Sequence, residues 1–450
     1  DKKVIEIEIN KRYITLAPVA NLVGIAFRLN DPHNLLNGKS GISLALVEKG
    51  TCGLEQNTYH NPLNVGFPNG TLKGKLRIPV ENIIGGEKNI GEGWKMLMEC
   101  LSAGRGVSLP ATANASSKVA VYGMLNYMKT RKQFKLQLSE MEAIQEKFLN
   151  MVYHTWIIQS SVELMNDILD NKKSPAVLSA IMKQQTTERA RIVLNEAMDI
   201  HAGSAICVGR NNFLEKFYKS APIGITVEGS NTLTRSLIIF GQGLNKSHPH
   251  IYSILESILD KNEKQFGKHF EIMVSHLVCD YADSFYLSRS LTSQIAHYSL
   301  LTNFVALKGG ALKKEQILSG EMADIFSNLY LALSVKYYHN YNPASAKLTD
   351  YVIERLINEN QQKINNVVDN LGSQKYLLLH LKGKVKSRNY NQEKELFKEI
   401  LNNENIMKEI KKNIYIQPDS VLDDFTKVEN ESVNEEITNK IINVGEYNIN

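Results

Sequence analysis

The sequence predicts an α+β protein that is mostly α-helical. Apolar residues alternate with polar ones up to about residue 90, and from Trp94 onward they recur with helical spacing. Glycines at Gly85-Gly86 and in Gly91-Glu92-Gly93 separate the two regions. Alternation is typical of a half-buried strand, whereas spacings of three and four residues are typical of an amphipathic helix. We therefore predict a β domain over residues 1–90 and helices beyond it.

The β region contains several short strands joined by turns. Its clearest strand has Ile5, Ile7 and Ile9 alternating with Glu6 and Glu8, so that one face is apolar. Turn-forming clusters such as Asn30-Asp31-Pro32-His33 separate the later runs. The predicted strands are 5–9, 13–16, 23–29, 42–47 and 72–79.

The helical region begins with five predicted helices, roughly 93–104, 111–132, 136–171, 174–201 and 230–244. Ser174-Pro175 is a good helix start, and the glycines and proline of 202–229 predict a loop. A helical extension is predicted over 246–415. Residues 416–450 carry eight acidic and two basic side chains, which favours a loose tail.

Composition excludes several classes of protein. A net charge of +5, from 52 basic and 47 acidic residues, is too mild to indicate nucleic-acid binding. No apolar run approaches the roughly 20 residues that a membrane span needs. The four cysteines lie far apart, which is typical of reduced, packed thiols in a cytosolic protein. They are Cys52, Cys100, Cys207 and Cys279.

Metal and dinucleotide sites are also disfavoured. The pair His248-Pro249-His250 could bind a metal only if a third ligand converged on it, and the sequence indicates none. Gly85-Gly86 lacks the GxGxxG frame of a dinucleotide-binding fold. We predict no metal.

Glu228 is the strongest candidate for chemistry. It stands in Thr226-Val227-Glu228-Gly229-Ser230, between an apolar β-branched stretch and a Gly-Ser break. Glycine permits a tight turn, and Ser230 is a good N-cap for a helix with Leu233, Leu237, Ile238 and Phe240 on its apolar side. Such a chain can present one base to a dry cleft. The alternative is an acid that only stabilises a helix dipole, worth a few tenths of a kcal/mol to about 1 kcal/mol.

Six runs along the chain resemble segments of the acyl-CoA dehydrogenase family. Together they span about 245 residues in the family's order. They are Lys11-Arg12-Tyr13-Ile14-Thr15, Pro79-Val80-Glu81-Asn82-Ile83-Ile84-Gly85, Gly91-Glu92-Gly93-Trp94-Lys95, Arg131-Lys132-Gln133-Phe134, Asp199-Ile200-His201-Ala202-Gly203 and Val227-Glu228-Gly229 with Arg235. The helical extension is similar to that of the large FadE-type bacterial enzymes.

The resemblance implies α,β-dehydrogenation of a medium- or long-chain fatty acyl-CoA to a trans-2-enoyl-CoA in fatty-acid β-oxidation. Glu228 would abstract the α-proton, and a hydride would pass to N5 of FAD. The family also implies a partly barrel-like middle β domain, a four-helix-bundle catalytic domain over 91–245, and homo-oligomers that pass electrons to an electron-transfer flavoprotein. We expect a cytoplasmic protein that could lie peripherally at the inner membrane.

The resemblance also implies roles for other residues. Tyr13 and Thr15 would lie against the isoalloxazine, and Arg131, Gln133 and Phe134 would hold the adenosine diphosphate of a neighbouring subunit's flavin. Gly203, Ser230 and Thr232 would also contact the flavin, and Arg105 and Gly229 the acyl-CoA. Some relatives carry the base before an arginine on an earlier helix. Here that place reads Ala103-Gly104-Arg105, without a carboxylate.

Two departures from the family pattern bear on this interpretation. Ala202 and Ala205 stand where relatives tend to have glycine near the cofactor, which predicts weaker flavin binding. The chain starts at Asp1-Lys2-Lys3, without the family's N-terminal helical domain, so we expect a fragment, half of a split enzyme or a decaying copy. The rival hypothesis is a non-catalytic helical assembly module.

Overall fold

The computed structural model describes residues 3–173, 175–244, 248–285, 290–430 and 435–445. Two compact units are present, Asp1–Gly104 and Arg105–Asn450. The predicted boundary near residue 90 therefore falls about one helix earlier than the observed one, because helix α1, Gly93–Arg105, lies almost entirely within the first unit. Predicted Ser174 lies outside the described residues.

The first unit contains two antiparallel sheets, one with the order β1-β5-β4 and one pairing β2 with β3. Ile5, Ile7 and Ile9 are buried, as their alternation predicted. The described strands of this unit form two sheets and no closed barrel, which is compatible with the predicted partly barrel-like β domain. The strands are β1 Val4–Thr15, β2 Leu22–Leu29, β3 Gly41–Glu48, β4 Leu54–His60 and β5 Asn69–Pro79.

Strand β4 was missed by the sequence prediction. Its one buried residue is Gln56, so the strand has no apolar alternation to detect. The Gln56 side-chain amide donates to the carbonyls of Ala17 at 2.7 Å and Ala20 at 2.6 Å, which satisfies the buried donor.

The second unit is helical and has one large core. Helices α2 Ser108–Thr130, α3 Glu142–Asp170 and α4 Ala176–His201 pack against one another. A π-helical segment, Thr234–Gln242, packs against α4. These elements form the predicted bundle. Its core includes Tyr122, Phe148, Tyr153 and Phe240, all buried.

The C-terminal extension is helical as predicted, and it shares the core of the bundle. Its helix α11 packs against α3 and against the π-helix. The helices after the π-helix are α8 Ile251–Leu259, α9 Glu263–Asp283, α10 Leu291–Ala306, α11 Gln316–Tyr341, α12 Ala346–Asp369, α13 Lys375–Leu378, α14 Tyr390–Asn402, α15 Glu404–Lys411, α16 Val421–Asn430 and α17 Glu435–Ile442. None of the helices in the described ranges is long and apolar enough to cross a membrane.

The predicted loop over 202–229 is largely helical. It contains α5 Gly203–Ile206 and α6 Glu215–Thr226, and Pro222 lies inside α6. The proline and Gly224 were interpreted as breakers, but α6 has no buried residue and its proline is tolerated at the surface. Tertiary context therefore overrides local propensity here.

The predicted loose tail is also wrong over the part that the structure describes. Val421, Phe425, Ile441 and Val444 are buried. Helices α16 and α17 turn apolar residues inward, whereas Asp423 is half-buried and Glu435 and Glu436 are exposed. The C-terminal segment therefore packs against the helical unit although few of its residues are hydrophobic.

The cysteines do not behave as the sequence predicted. Cys52, Cys100, Cys207 and Cys279 are free, but all four are exposed rather than packed. Cys100 lies in α1 and Cys279 in α9, and which side of a helix is exposed depends on packing that the sequence separation of the cysteines does not reveal.

Candidate functional site

Glu228 lies in a left-handed turn between α6 and the next helical segment. Its φ is +56°, and that of Gly229 is +89°. The turn leads into α7, Asn231–Leu233, where the Ser230 hydroxyl accepts a hydrogen bond from the Leu233 amide at 3.3 Å. The predicted N-cap is thus confirmed. A left-handed conformation costs a non-glycine residue about 1–2 kcal/mol, and such strain clusters at functional sites.

Two buried polar residues hold this turn. Lys183 of α4 donates to the Gly229 carbonyl at 2.6 Å and to Oδ1 of Asn231 at 2.7 Å. The Asn231 amide group donates in turn to Thr187 and to Glu188 on α4, both at 2.9 Å. The chain segment on either side of Ser230 is therefore fastened to the middle of α4.

The carboxylate of Glu228 is exposed, whereas the sequence predicted a dry cleft. The buried apolar residues after it are Ile239 and Phe240, and Leu233 is 45% exposed. The predicted apolar side was displaced because Thr234–Gln242 is π-helical, and its wider turns change which residues face inward. The inner side of the Glu228 turn is polar, since Lys183 and Asn231 occupy it.

Arg105 lies near this turn, at the beginning of the helical unit. Its side chain is buried, and within the described ranges its Nε has no hydrogen-bond partner. Burial and, to a lesser extent, the Arg105 charge lower the pKa of Lys183 to about 8, against the opposing charges of Glu228 and Glu188. Of the predicted substrate residues, Arg105 and Gly229 are thus brought together with Glu228.

Ser230 and Thr232 are both exposed on the first helical turn after Glu228. The Ser230 hydroxyl serves as the N-cap, and the Thr232 carbonyl accepts from the Ser236 hydroxyl at 2.8 Å. Their position beside Glu228 agrees with the prediction. Their contact with a flavin stays a prediction.

Arg131, Gln133 and Phe134 share a small hairpin that interrupts the predicted helices. Arg131 ends α2, and β6 Lys132–Gln133 pairs with β7 Leu136–Gln137. Phe134 and Lys135 have φ of +52° and +66°, as a two-residue hairpin turn requires. The Phe134 ring is 90% exposed at the tip. A surface residue of this kind can contact another molecule.

Tyr13 and Thr15 lie in the first unit, at the end of β1. The β1–β5 register shifts between Lys11 and Ile14, and within this bulge Tyr13 has a φ of +59° and is 71% exposed. Its ring lies 5.0 Å from that of His60. Thr15 is exposed and pairs with Asn69. The bulge explains why an aromatic residue of a strand faces solvent.

Gly203 begins α5, after a strained Ala202 with φ of +54° and ψ of −130°. A side chain at Gly203 would meet open space. The positive φ at position 202 therefore favours glycine, but this chain has alanine there. Position 202 is one of the two at which the sequence departs from the family's glycines.

The loop after α5 is bound by the C-terminal segment. Asn211 donates from its backbone to the Val444 carbonyl and from its side chain to the Lys440 and Asn443 carbonyls, each at 3.0 Å. The Ser204 hydroxyl donates to the Ile442 carbonyl at 3.1 Å. These contacts satisfy carbonyls at the end of α17 that a helix leaves unpaired.

Lys183 and Asn231 were not predicted from the sequence. Lys183 faces the core from the same side of α4 as the small residues Ala180 and Thr187, a weak sign that a long side chain could fold inward. The residues around Asn231 did not indicate its role, because that role depends on hydrogen bonds to α4.

The histidines of the extension do not form a metal site. Nε2 of His250 lies 2.9 Å from Nδ1 of His276, while His248 bonds to Asn303 at 3.1 Å. Within the part of the chain that the structure describes, no three or more His, Cys, Asp or Glu side chains are grouped to hold a metal ion.

Comparison with known families identifies both helical parts. Residues 91–241 match the model described as acyl-CoA dehydrogenase, C-terminal domain. Residues 285–441 match that described as acyl-CoA dehydrogenase, C-terminal, bacterial type. The chain belongs to the acyl-CoA dehydrogenase family. The family resemblance inferred from the sequence is thereby confirmed.

Individual relatives match parts of this chain. Protein HemX of Proteus mirabilis is 46% identical over 98 residues, covering 21% of this chain and 58% of that protein. Acryloyl-CoA reductase (NADH) of Anaerotignum propionicum is 28% identical over 219 residues, covering 48% of this chain and 52% of that protein. The chain thus spans little more than half the length of these relatives.

An acyl-CoA dehydrogenase of Bacillus anthracis, solved in complex with FAD, has the same fold. Its TM-score is 0.68 at 22% identity, and the match covers 88% of this chain and 70% of that one. The match extends well beyond the bundle, so the fold of this family member includes the C-terminal extension.

Proposed function

We propose that this member of the acyl-CoA dehydrogenase family converts a fatty acyl-CoA to the trans-2-enoyl-CoA, with Glu228 as the base for the α-proton. The observation that carries the proposal is the left-handed turn at Glu228 and Gly229, which Lys183 holds from within the bundle. A strained residue held by buried hydrogen bonds is a preorganised one, as a catalytic base requires.

The residues of this chain fit a bound FAD. Tyr13 and Phe134 offer exposed rings on left-handed backbone, and the Thr15 hydroxyl is exposed at the end of β1. The guanidinium of Arg131 suits a diphosphate because its fork donates two hydrogen bonds in fixed geometry. When bound, FAD takes up the hydride at N5 and so supplies the redox chemistry. The FAD complex of the Bacillus anthracis relative supports this assignment.

The chain's own contribution is to hold the base and the substrate. Glu228 would receive the α-proton on a carboxylate oxygen, and Arg105 and Gly229 would line the acyl-CoA site. An apolar acyl chain bound beside Glu228 would exclude water from its carboxylate. Substrate binding would then provide the dry surroundings that the free chain lacks.

Substrate, partners and location form a finer part of the proposal. The substrate would be a medium- or long-chain acyl-CoA of fatty-acid β-oxidation, as the resemblance to the FadE-type bacterial enzymes implies; the match of 285–441 to the bacterial-type domain supports the bacterial type of the extension. The acceptor would be an electron-transfer flavoprotein, in the cytoplasm. The exposed hairpin of Arg131, Gln133 and Phe134 supports a homo-oligomer in which it reaches a neighbouring flavin. An acryloyl-CoA reductase among the relatives makes short acyl chains the competing substrate class.

A non-catalytic assembly module is the second candidate. It is favoured by Ala202, which holds a conformation suited to glycine in the segment proposed to contact the flavin. In that case the chain would keep the fold and its surfaces without binding FAD.

Flavin bleaching separates the two candidates. The purified chain is incubated with FAD and with acyl-CoA from four to sixteen carbons, and flavin absorbance is followed. A colourless chain that gives no bleaching rejects the enzyme for this chain. Glu228→Gln should keep the flavin colour and lose turnover by about 10²–10⁴-fold, the contribution of a general base. Glu271→Gln, another exposed glutamate on α9, is the matched control and should turn over normally.

A further inference from the structure

Lys183 is a completely buried lysine whose two hydrogen-bond acceptors are neutral groups. Its side chain is 0% exposed, and it donates to the Gly229 carbonyl and the Asn231 amide oxygen. Burying an ammonium group without a directly bonded carboxylate is costly. The fold keeps this group where α4 meets the turn after Glu228, one helical turn before the α4 residues that bond Asn231.

The turn needs such a partner because two successive residues have positive φ. Glycine adopts this conformation freely, but Glu228 does not. The Gly229 carbonyl also accepts from the Thr234 hydroxyl, at a long 3.5 Å. The bond from Lys183 at 2.6 Å is charge-assisted and therefore the stronger of the two.

The same ammonium group fixes the residue that follows the N-cap. Asn231 accepts a hydrogen bond from Lys183 and donates to Thr187 and Glu188, so both the oxygen and the nitrogen of its side-chain amide are bonded. Lys183 thus bridges the residues before and after Ser230. Its removal would leave the Asn231 amide oxygen without this donor and the Gly229 carbonyl with only the long bond from Thr234, which would free the turn to relax.

A second buried lysine provides a comparison. Lys118 of α2 is 4% exposed and donates to the Gln159 side chain at 3.2 Å and to the Lys412 carbonyl at 2.5 Å. Burial lowers its pKa to about 8, as it does for Lys183. The two lysines match in burial and bonding, and only Lys183 contacts the residue after Glu228.

We propose that Lys183 is the positioning residue of Glu228, whose ammonium group holds the left-handed turn in the conformation that presents the carboxylate. The catalytic meaning of this role rests on the proposed function, whereas the turn itself can be measured without it. The charged groups that act on Lys183 are Arg105, which repels it, and Glu228 and Glu188, which attract it.

Amide hydrogen exchange of the whole chain, without cofactor, tests the structural half. In Lys183→Met, exchange over 226–235 should be about ten to a hundred times faster than in the wild type, the effect of losing a hydrogen bond to a charged group. Lys118→Met is the matched control and should leave 226–235 unchanged. Equal exchange in the two variants would overturn the proposal.

A milder variant guards against loss of folding. Asn231→Ala removes one of the two acceptors and leaves the lysine in place. If Lys183→Met does not fold, Asn231→Ala is compared with Asn231→Asp, which keeps the acceptor for Lys183 but loses the amide bonds to Thr187 and Glu188. Faster exchange over 226–235 in Asn231→Ala than in Asn231→Asp supports the proposal, and equal exchange in the two overturns it.

Kinetics test the positioning role with readouts that general destabilisation would not change. Lys183→Met should lower kcat at least tenfold with KM for acyl-CoA within about twofold, because binding precedes use of the base. Ethylammonium added to Lys183→Ala should partly restore both kcat and exchange protection, and no restoration in Lys118→Ala is expected. A KM effect without a kcat effect overturns the proposal. A wild type that never bleaches flavin overturns the proposed function alone, since the exchange result is obtained independently.

Discussion

Arg235 binds Asp324 through two parallel hydrogen bonds, Nε to Oδ1 at 2.8 Å and Nη2 to Oδ2 at 2.7 Å. This fork ties the π-helix behind Glu228 to α11 of the C-terminal extension. Lys363 adds a third bond to Asp324 at 2.7 Å. The predicted family arginine is therefore a link between the bundle and its extension.

Asp324→Asn tests this link. We expect it to lower the free energy of unfolding at pH 7 by about 2–3 kcal/mol, because Arg235 and Lys363 both lose a hydrogen-bonded anion. The loss is not larger because Arg235 is partly exposed to solvent. Urea unfolding measures the loss. Asp369→Asn, which breaks the exposed pair with Lys382, should change stability by less than about 1 kcal/mol.

The same pair predicts a dependence on acid. Burial tends to raise the pKa of the Asp324 carboxyl, but hydrogen bonds from Arg235 and Lys363 outweigh burial and lower it. A carboxyl whose pKa is lower in the folded state stabilises above its unfolded pKa, near 3.9, and the stabilisation is lost as pH falls through the folded value. The difference between the wild type and Asp324→Asn should therefore be constant above about pH 5 and shrink below about pH 4. A difference that grows with acid would contradict this.

Lys118 predicts a dependence on alkali. Its folded pKa of about 8 lies below the ordinary 10.5 of an unfolded lysine. Between these values the unfolded chain binds one more proton, so stability contributed by this group rises with pH. The stability of the wild type relative to Lys118→Met should increase by roughly 2–3 kcal/mol from pH 8 to 10.5. Paired urea titrations at the two pH values measure it, and a flat difference would refute it.

Ala202→Gly should stabilise the chain. Glycine relieves the positive φ, and we expect a gain of about 1 kcal/mol after the greater freedom of the unfolded glycine is subtracted. Ala205→Gly is the matched control, because Ala205 is buried in α5, and it should be destabilising. Equal losses in both variants would show that Ala202 is not strained. Equilibrium unfolding in urea distinguishes these outcomes.

Gly209→Ala should detach the C-terminal segment. A Cβ at Gly209 would lie 2.0 Å from the Val444 carbonyl oxygen, so the backbone of 443–445 must move. Exchange over 435–445 should rise at least tenfold, with a stability loss of about 1–3 kcal/mol. Gly203→Ala, whose Cβ would meet open space, should leave both unchanged. Unaltered exchange in Gly209→Ala would show that the segment does not depend on this contact.

Local pattern was sufficient for much of the fold. The alternation of Ile5, Ile7 and Ile9 predicted a strand, and the helical spacing predicted α2, α3 and α4 to within a few residues. The Gly-Ser break after Glu228 predicted the turn and its N-cap. These features depend on residues that are close together in the sequence, and for that reason they can be predicted from it.

Other features depended on partners far along the chain. Strand β4 is buried through Gln56, α6 tolerates Pro222 at the surface, and α17 docks because Asn211 and Ser204 satisfy its last carbonyls. None of these long-range contacts can be read from the residues next to them in the sequence. Hydrogen bonds to residues far along the chain therefore determined the structure where local propensity gave no prediction or a wrong one.

By itself, the sequence determined the order of elements, the family segments and the identity of Glu228 as the candidate base. Only the tertiary structure decided that Glu228 is exposed, that its turn is left-handed, and that Lys183 and Asn231 hold it. The reason is physical. A turn residue is recognisable from its neighbours, but the buried cation that stabilises the turn lies 46 residues from Gly229 and is brought there by packing alone.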